Sequence, residues 1–370
     1  LTKSNAFFVP PVLDHREQAA AAPFVLPAQA PARPYLEIPL RTPRGYSPGD
    51  TSPGDLDGDG QYELVVHMTG RGRDNAQAGL TDPPLLQAYK TDGTHLWSID
   101  LGRNIREGAH YTQFIVYDLD GDGIAEVVCK TADGTVDGQG TVIGDNEADW
   151  VNSDGKILQG PEYLTVFDGR TGAALATVDY LPPRGEIGGW GGIGGNGGND
   201  RTGNRVDRFL ACAACLDGRR PSVVMCRGVY GRSVLAAWDF RGGKLTSRWV
   251  FDTDAPGTGK DGKPHGDYAG MGGHSLSVAD VDGDGRDEIV YHSMVVDDDG
   301  RGLFTTGFRH GDALHVSRFD PDHPDPIVFG VHENEGSRCD ATTPAAAAFN
   351  ARTGQTLWRI GDAEDAGYCL

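Results

Sequence analysis

Gly54-Asp55-Leu56-Asp57-Gly58-Asp59-Gly60-Gln61-Tyr62-Glu63-Leu64-Val65-Val66 decides the fold, because the chain repeats it. YDLDGDGIAEVVC returns at 117–129 and ADVDGDGRDEIVY at 279–291. Two degenerate copies, ACLDGRRPSVVM at 214–225 and FDPDHPDPIVF at 319–329, keep only Asp217 and the pair Asp320 and Asp322. Each copy closes on an apolar run that reads as a strand. A second element follows most copies: AYKTDGTHLW (88–97), VFDGRTGAAL (166–175), AWDFRGGKLTSRW (237–249) and AFNARTGQTLW (348–358). Each is strand, Asp/Asn/Gly turn, strand, which is hairpin chemistry. A unit of roughly 40–65 residues built this way matches a propeller blade. The expectation is an all-β chain, a β-propeller with about five recognisable blades. A horseshoe solenoid has shorter, leucine-patterned repeats, and helical periodicity is essentially absent.

The three full copies have a calcium-binding register. Oxygens fall at positions 1, 3, 5 and 9, and the backbone carbonyl of position 7 completes the set. The ligands are then Asp55, Asp57, Asp59, Gln61 and Glu63; Asp118, Asp120, Asp122, Ile124 and Glu126; and Asp280, Asp282, Asp284, Arg286 and Glu288. An EF-hand needs Glu at position 12, where the copies have Val66, Cys129 and Tyr291, and a helix afterwards, where they have strands. A bare Asp-Gly turn is the alternative, but it packs four carboxylates without a counter-ion. Repetition in unit after unit marks the loops as structural staples rather than a reaction centre.

Composition narrows the classes further. Among 370 residues there are 54 glycines, about 15% against a usual ~7%. Acidic residues outnumber basic ones 53 to 33, a formal charge of −20. Such a surface is unsuited to nucleic acid, whose phosphates need basic partners. No run approaches ~18 apolar residues, so no membrane span is expected. Residues 1–34, rich in Pro and Ala, read as a tail or linker, and 35–370 as the propeller domain, C-terminally incomplete because nothing after Trp358-Arg359-Ile360 closes it. Of the six cysteines, Cys212 and Cys226 flank the turn at 217–220 symmetrically; a cross-strand disulfide and buried free thiols both fit.

Several residues stand outside the repeat. Arg103, Arg106, His110 and Tyr111 cluster in the polar stretch LGRNIREGAHYTQ, of the kind that covers one end of a propeller, where binding sites sit. They are the candidate substrate-binding residues, with hydrogen bonding to neighbouring loops as the alternative. Lys130 follows a strand run and can face a cleft or pair with Asp133 or Asp137. His274, His310, His315 and His332 can line the channel as calcium-pocket or base residues, or be buried polar groups. Lys130, His274 and His310 are the catalytic candidates. Trp190, in GGWGGIGGNGG (188–198), reads as part of a surface insertion, or as a platform for a sugar ring.

With these motifs in view, the sequence resembles the rhamnogalacturonan lyases of polysaccharide lyase family eleven. The resemblance rests on LGRNIREGAHYTQFIVYDLDGDGIAEVVCKTADGTVDGQG (101–140), RPSVVMCRGVYGRSVLAAWD (220–239), GGHSLSVADVDGDGRDEIVYHSMVVDDDGRG (272–302) and RHGDALHVSRFDPDHP (309–324), and runs from about Tyr35 to Gly367. It implies an eight-bladed, calcium-rich propeller, secreted and monomeric. It also implies cleavage of the rhamnose–galacturonic acid backbone of rhamnogalacturonan I, an acidic plant cell-wall polysaccharide, by β-elimination. Family members carry a small β-sandwich before the propeller and further blades after the point equivalent to Gly367, so this chain is expected to be a fragment, with activity and inactivity of the chain alone both left open. The rival reading is a non-catalytic, calcium-dependent glycan-binding or integrin-like adhesion propeller. A quinoprotein dehydrogenase is weaker still, since adjacent cysteines are absent and only Trp97 and Trp358 fit its docking pattern.

Overall fold

The structure is a computed structural model that describes residues 35–191, 200, 202–334, 339–340 and 342–361. The expected tail at 1–34 and most of the glycine run at 188–198 lie outside the described residues. Strands β1 (Ser47–Gly54), β2 (Glu63–Thr69), β3 (Leu85–Tyr89) and β4 (His95–Asp100) make a first antiparallel meander. β5 (Phe114–Tyr117) and β6 (Glu126–Thr131) start a second sheet. The short hairpin β7 (Thr135–Val136) and β8 (Val142–Ile143) returns to the edge of the first sheet, and β9 (Tyr163–Phe167) with β10 (Ala174–Asp179) completes the second.

Three further four-stranded meanders follow without crossover. They are β11 (Phe209–Ala214) to β14 (Lys244–Asp252) through β12 (Ser222–Arg227) and β13 (Val234–Arg241), then β15 (Ser277–Ala279), β16 (Glu288–Tyr291), β17 (Met294–Val296) and β18 (Gly302–Thr305), and finally β19 (Leu314–Ser317), β20 (Ile327–Val331), β21 (Ala346–Asn350) and β22 (Thr356–Ile360). The described helix is confined to two 3-10 turns, Ile187–Trp190 and His265–Tyr268, so the all-β expectation holds. Each of the five sequence copies spans the turn from first to second strand, and most of the second strand, of one of the five sheets. Their first strands neighbour one another in chain order, β1 against β5, β5 against β11, β11 against β15 and β15 against β19.

Period-two alternation fills the space between sheets. In β6, Val127 and Cys129 enter a core shared with the first sheet, alongside Leu86, Trp97 and Phe167, while Val128 enters the next core with Val223, Met225 and Trp238. In β12, Val223 and Met225 face back, and Val224 and Cys226 face forward to Ile289, Tyr291 and Met294. A fourth core, including Val290, Phe304, Val328 and Phe349, joins the last two sheets. Second strands are therefore buried on both faces, which is why they read as unbroken apolar runs.

The structure decides between the two readings of the cysteines and corrects that of Trp190. Cys212 pairs with Val224 and Cys226 with Leu210 in the β11–β12 ladder, so the two cysteines are diagonal neighbours rather than partners, and both are free and buried. Trp190 is neither exposed nor a sugar platform. It packs with Val206 and Val234, donates Nε1–H to the Arg184 carbonyl at 2.7 Å, and lies under the Arg232 and Arg227 guanidiniums at 4.5 and 5.3 Å.

Candidate functional site

The meander topology gives the sheets two chemically different ends. Turns from first to second strand, and from third to fourth, lie at one end; first strands begin and second strands finish at the other.

The acidic loops occupy the first end. Each folds around its opening aspartate: Asp55 accepts from the N–H of Gly58 (2.7 Å) and Gly60 (2.9 Å), Asp118 from Gly121 and Gly123, and Asp280 from Gly283 and Gly285. These glycines take φ near +80 to +90°, a left-handed conformation that a Cβ disfavours. Position 5 accepts from the N–H of position 7, namely Gln61, Ile124 and Arg286, so those three residues contribute backbone. One oxygen of the position 9 glutamate accepts from the N–H of Leu56, Leu119 or Val281.

The loops meet a metal's requirements to different degrees. In all three loops carboxylate oxygens lie within 4.8 Å of one another: those of Asp55, Asp57 and Glu63, of Asp118, Asp120 and Asp122, and of Asp280, Asp282 and Glu288. The other oxygen of Glu288 is buried with no hydrogen-bond partner. Burial, with the neighbouring aspartates adding to it, pushes Glu126 and Glu288 up to about 8. A bound divalent cation removes that penalty, so the second and third loops fit one. In the first loop the Lys90 ammonium stands among the carboxylates, 2.6 Å from Asp57 and 3.3 Å from Asp59.

The opposite end collects histidine, arginine and tyrosine. His110 precedes β5, Arg205 and Arg208 precede β11, Tyr230 follows β12, His274 precedes β15, and His310 and Asp312 precede β19. The His274 ring stacks on His110 with centroids 4.8 Å apart, and its Nε2 lies 3.0 Å from the Tyr230 hydroxyl. Arg205 lies 3.8 Å over the Tyr230 ring, and Arg208 5.0 Å. His274, His310 and Asp312 bring one donor atom each within 4.8 Å of the others, and Glu333 lies 3.8 Å from His310 Nε2. His310 is fully buried, its Nδ1 3.0 Å from the Gly272 carbonyl, and its Nε2 has no hydrogen-bond partner. Burial, with Arg208 and Arg205 adding to it, holds this imidazole down at about 3, hence neutral and able to ligate. Two imidazoles and a carboxylate around an unpartnered nitrogen fit a divalent cation. The two described non-glycine residues with left-handed backbone, His292 (φ 64°) and Arg309 (φ 70°), both adjoin this cluster, where backbone strain tends to mark function.

Beside it lies a buried ion network. Glu162 accepts from Arg227 at 2.9 and 3.2 Å and pairs with Lys130 at 3.1 Å and Arg184 at 3.0 Å; Arg227 also reaches Asp207 at 2.9 Å. Burial opposes the Glu162 charge, but Arg227, Lys130 and Arg184 together hold its carboxyl well below the usual range. Lys130 is depressed by burial, helped by the like charges of Arg184 and Arg227.

The structure thus separates the sequence candidates. His110, His274 and His310 come together. Lys130 joins the ion network on Glu162 rather than pairing with Asp133 or Asp137. Arg106 is buried and clamps the carbonyls of Asp74, Gln77 and Gly155 and the Tyr111 hydroxyl, while Arg103 is exposed at 3.7 Å from Asp149. Sequence reasoning missed Arg205, Arg208, Tyr230 and Asp312, and reached Glu333 only through its place beside His332, just past a strand. Their one shared signal is a polar residue just before a first strand or just after a second one. A cavity of about 650 Å³ between the first strands is lined largely by Ser52–Gly54, Phe114–Tyr117 and Ala211–Ala213, away from the histidines.

Residues 29–370 match the family model for rhamnogalacturonan lyase family 11, C-terminal domain. The chain is 54% identical over 344 residues to the rhamnogalacturonan exolyase YesX of Bacillus subtilis (strain 168), covering 90% of this chain and 53% of that protein. It is 49% identical over 347 residues to the rhamnogalacturonan endolyase YesW of the same organism, covering 91% of this chain and 53% of that one. The crystal structure of the exotype lyase YesX superposes with a TM-score of 0.83, covering 90% of this chain and 54% of that chain. A Bacillus licheniformis rhamnogalacturonan lyase, 53% identical, superposes at 0.84 over 90% and 56%. The chain spans about half the length of the relatives it matches. It belongs to rhamnogalacturonan lyase family 11.

Proposed function

We propose that this chain is the calcium-stapled, five-bladed portion of a β-propeller lyase that acts outside the cell on rhamnogalacturonan I, cleaving rhamnose–galacturonic acid linkages by β-elimination. The observation that carries the reading is the His274–His310–Asp312 cluster beside Arg205 and Tyr230, in a chain half identical to two rhamnogalacturonan lyases. Five sheets whose first strands neighbour in order support the propeller.

Elimination at a uronate needs its C6 carboxylate neutralised so that the C5 proton becomes acidic, and a base to remove that proton as O4 leaves. A divalent cation held by His274, His310 and Asp312 would supply that neutralisation. Arg205 and Arg208 add fixed positive charge at the same end, which a polyanion needs on a chain of formal charge −20. Lys130, committed to Glu162, and His310, fully buried, serve to hold the site rather than to touch the polymer.

The test uses the full-length protein with rhamnogalacturonan I, following ultraviolet absorbance of the unsaturated uronate. Asp312→Asn and Arg205→Ala are each expected to lower kcat/KM by at least about tenfold, equivalent to ~1.4 kcal/mol. Polymer binding with no unsaturated product in the unsubstituted protein would instead make it a glycan-binding propeller.

A further inference from the structure

We propose that the first acidic loop is closed by the chain's own cation, the Lys90 ammonium, and takes no metal ion, whereas the second and third loops take one each. The proposal rests on the calcium reading of the loops and adds that one of the three is an exception to it.

Lys90 Nζ lies 2.6 Å from Asp57 Oδ2, 3.3 Å from Asp59 Oδ2 and 3.7 Å from Glu63 Oε1. Those are three of the four carboxylates the loop can offer a metal. Calcium needs the same oxygens at about 2.3–2.6 Å, and two cations a few ångströms apart repel strongly. Arg170 adds a second positive charge, its Nε 3.5 Å from the Asp57 carbonyl. The second loop differs: among the described residues, Asp118, Asp122 and Glu126 take hydrogen bonds from backbone N–H groups alone.

The repeat shows that this is a property of one position. Lys90 opens the turn after the third strand of its sheet, where its N–H donates to the Thr94 carbonyl at 2.9 Å. The corresponding N–H groups in the second, fourth and fifth sheets are those of Asp168, Asp297 and Asn350, each donating across its turn at 2.9 Å. In the fourth sheet that position also approaches the loop glutamate, but with the opposite sign. Asp297 and Asp298 bring carboxylate oxygens within 4.8 Å of Glu288, and one Asp297 oxygen is buried without a partner. The residue facing the ninth loop position is thus a cation in the first unit and a carboxylate in the fourth, where Asp297 is itself paired with Lys260 and Asp298 with Arg286 at 2.7 Å.

The experiment counts calcium bound per chain by atomic emission after dialysis, on folded protein verified by circular dichroism. Asp118→Asn/Asp120→Asn and Asp280→Asn/Asp282→Asn are each expected to lower the count by one, and Asp57→Asn/Asp59→Asn to leave it unchanged. Lys90→Met, which leaves the four carboxylates in place, is expected to raise it by one. A fall of one with the first-loop pair, or no gain with Lys90→Met, overturns the proposal. A count that none of the three pairs alters overturns the calcium reading itself, and this proposal with it.

Discussion

Arg227, at the end of β12, and Glu162, just before β9, face each other in a two-pronged ion pair of 2.9 and 3.2 Å with neither side chain more than 5% exposed. The pair joins the second sheet to the third at the histidine-bearing end. Lys130 and Arg184 share the same carboxylate, so Glu162 organises three cations from three separate segments. Arg227→Met removes the bidentate partner and leaves Asp207 without its 2.9 Å contact. The expected loss is about 3–5 kcal/mol of stability, because a buried charge is left underpaired. Denaturant titration measures it, and Glu162→Gln is expected to be at least as damaging, since it removes the one charge that three cations share.

Trp190 is expected to act through packing. Trp190→Ala removes a buried indole and its bond to the Arg184 carbonyl, at a cost of about 3–5 kcal/mol. A drop in thermal midpoint with unchanged polymer affinity below the transition is the expected pattern. The reverse pattern would restore the sugar-platform reading.

Calcium removal is expected to lower stability. A ligand that binds only the folded state contributes ~2.7 kcal/mol at a hundredfold excess over its Kd. A chelator should therefore lower the thermal midpoint, and re-added calcium should restore it. Glu288→Gln, which removes a buried carboxylate of the third loop, is expected to blunt that response.

Acid is expected to destabilise the histidine end. Burial holds His332 at about 4, against an ordinary value near ~6.5, so the folded state favours the neutral ring. The unfolded chain takes up the proton first, and the stabilisation, complete above about pH 6.5, is lost as pH falls toward 4. About two and a half pH units correspond to an upper value of roughly 3 kcal/mol. The slope of stability against pH between 7 and 5 should flatten in His332→Asn; an unchanged slope would show that other groups carry it.

The five cysteines among the described residues are buried, and burial pushes the Cys129 thiol up to about 12. In Cys369→Ser, which removes the one outside the described residues, a thiol reagent should label no cysteine until the protein unfolds. A reductant should leave the thermal midpoint unchanged.

The loops and strands were legible because each is local. Asp55 and Gly58 to Gly60 form one turn from neighbouring residues, and Val127-Val128-Cys129 declares a doubly buried strand by its own apolarity. The histidine cluster was half legible, since His274 and His310 stood out as unusual residue types. Arg205, Tyr230 and Asp312 did not, because only the stacking of sheets brings positions 205, 230 and 312 together. Arg106 misled for the same reason. Its partners are backbone carbonyls at Asp74, Gln77 and Gly155, and a carbonyl has no signature in sequence.

The alternation of each second strand between two cores has a mechanical result. Four of the cores are shared between neighbouring sheets: Val128 packs with Val223, and Val224 with Ile289, so the order of one sheet supports the next. Nearest-neighbour coupling of this kind makes melting propagate along the array rather than remain in one sheet. β22, with Leu357, Trp358 and Ile360 exposed, borders no further described sheet and is one end of that array. A surface that covered it would therefore protect sheets it never touches, by holding that end in place.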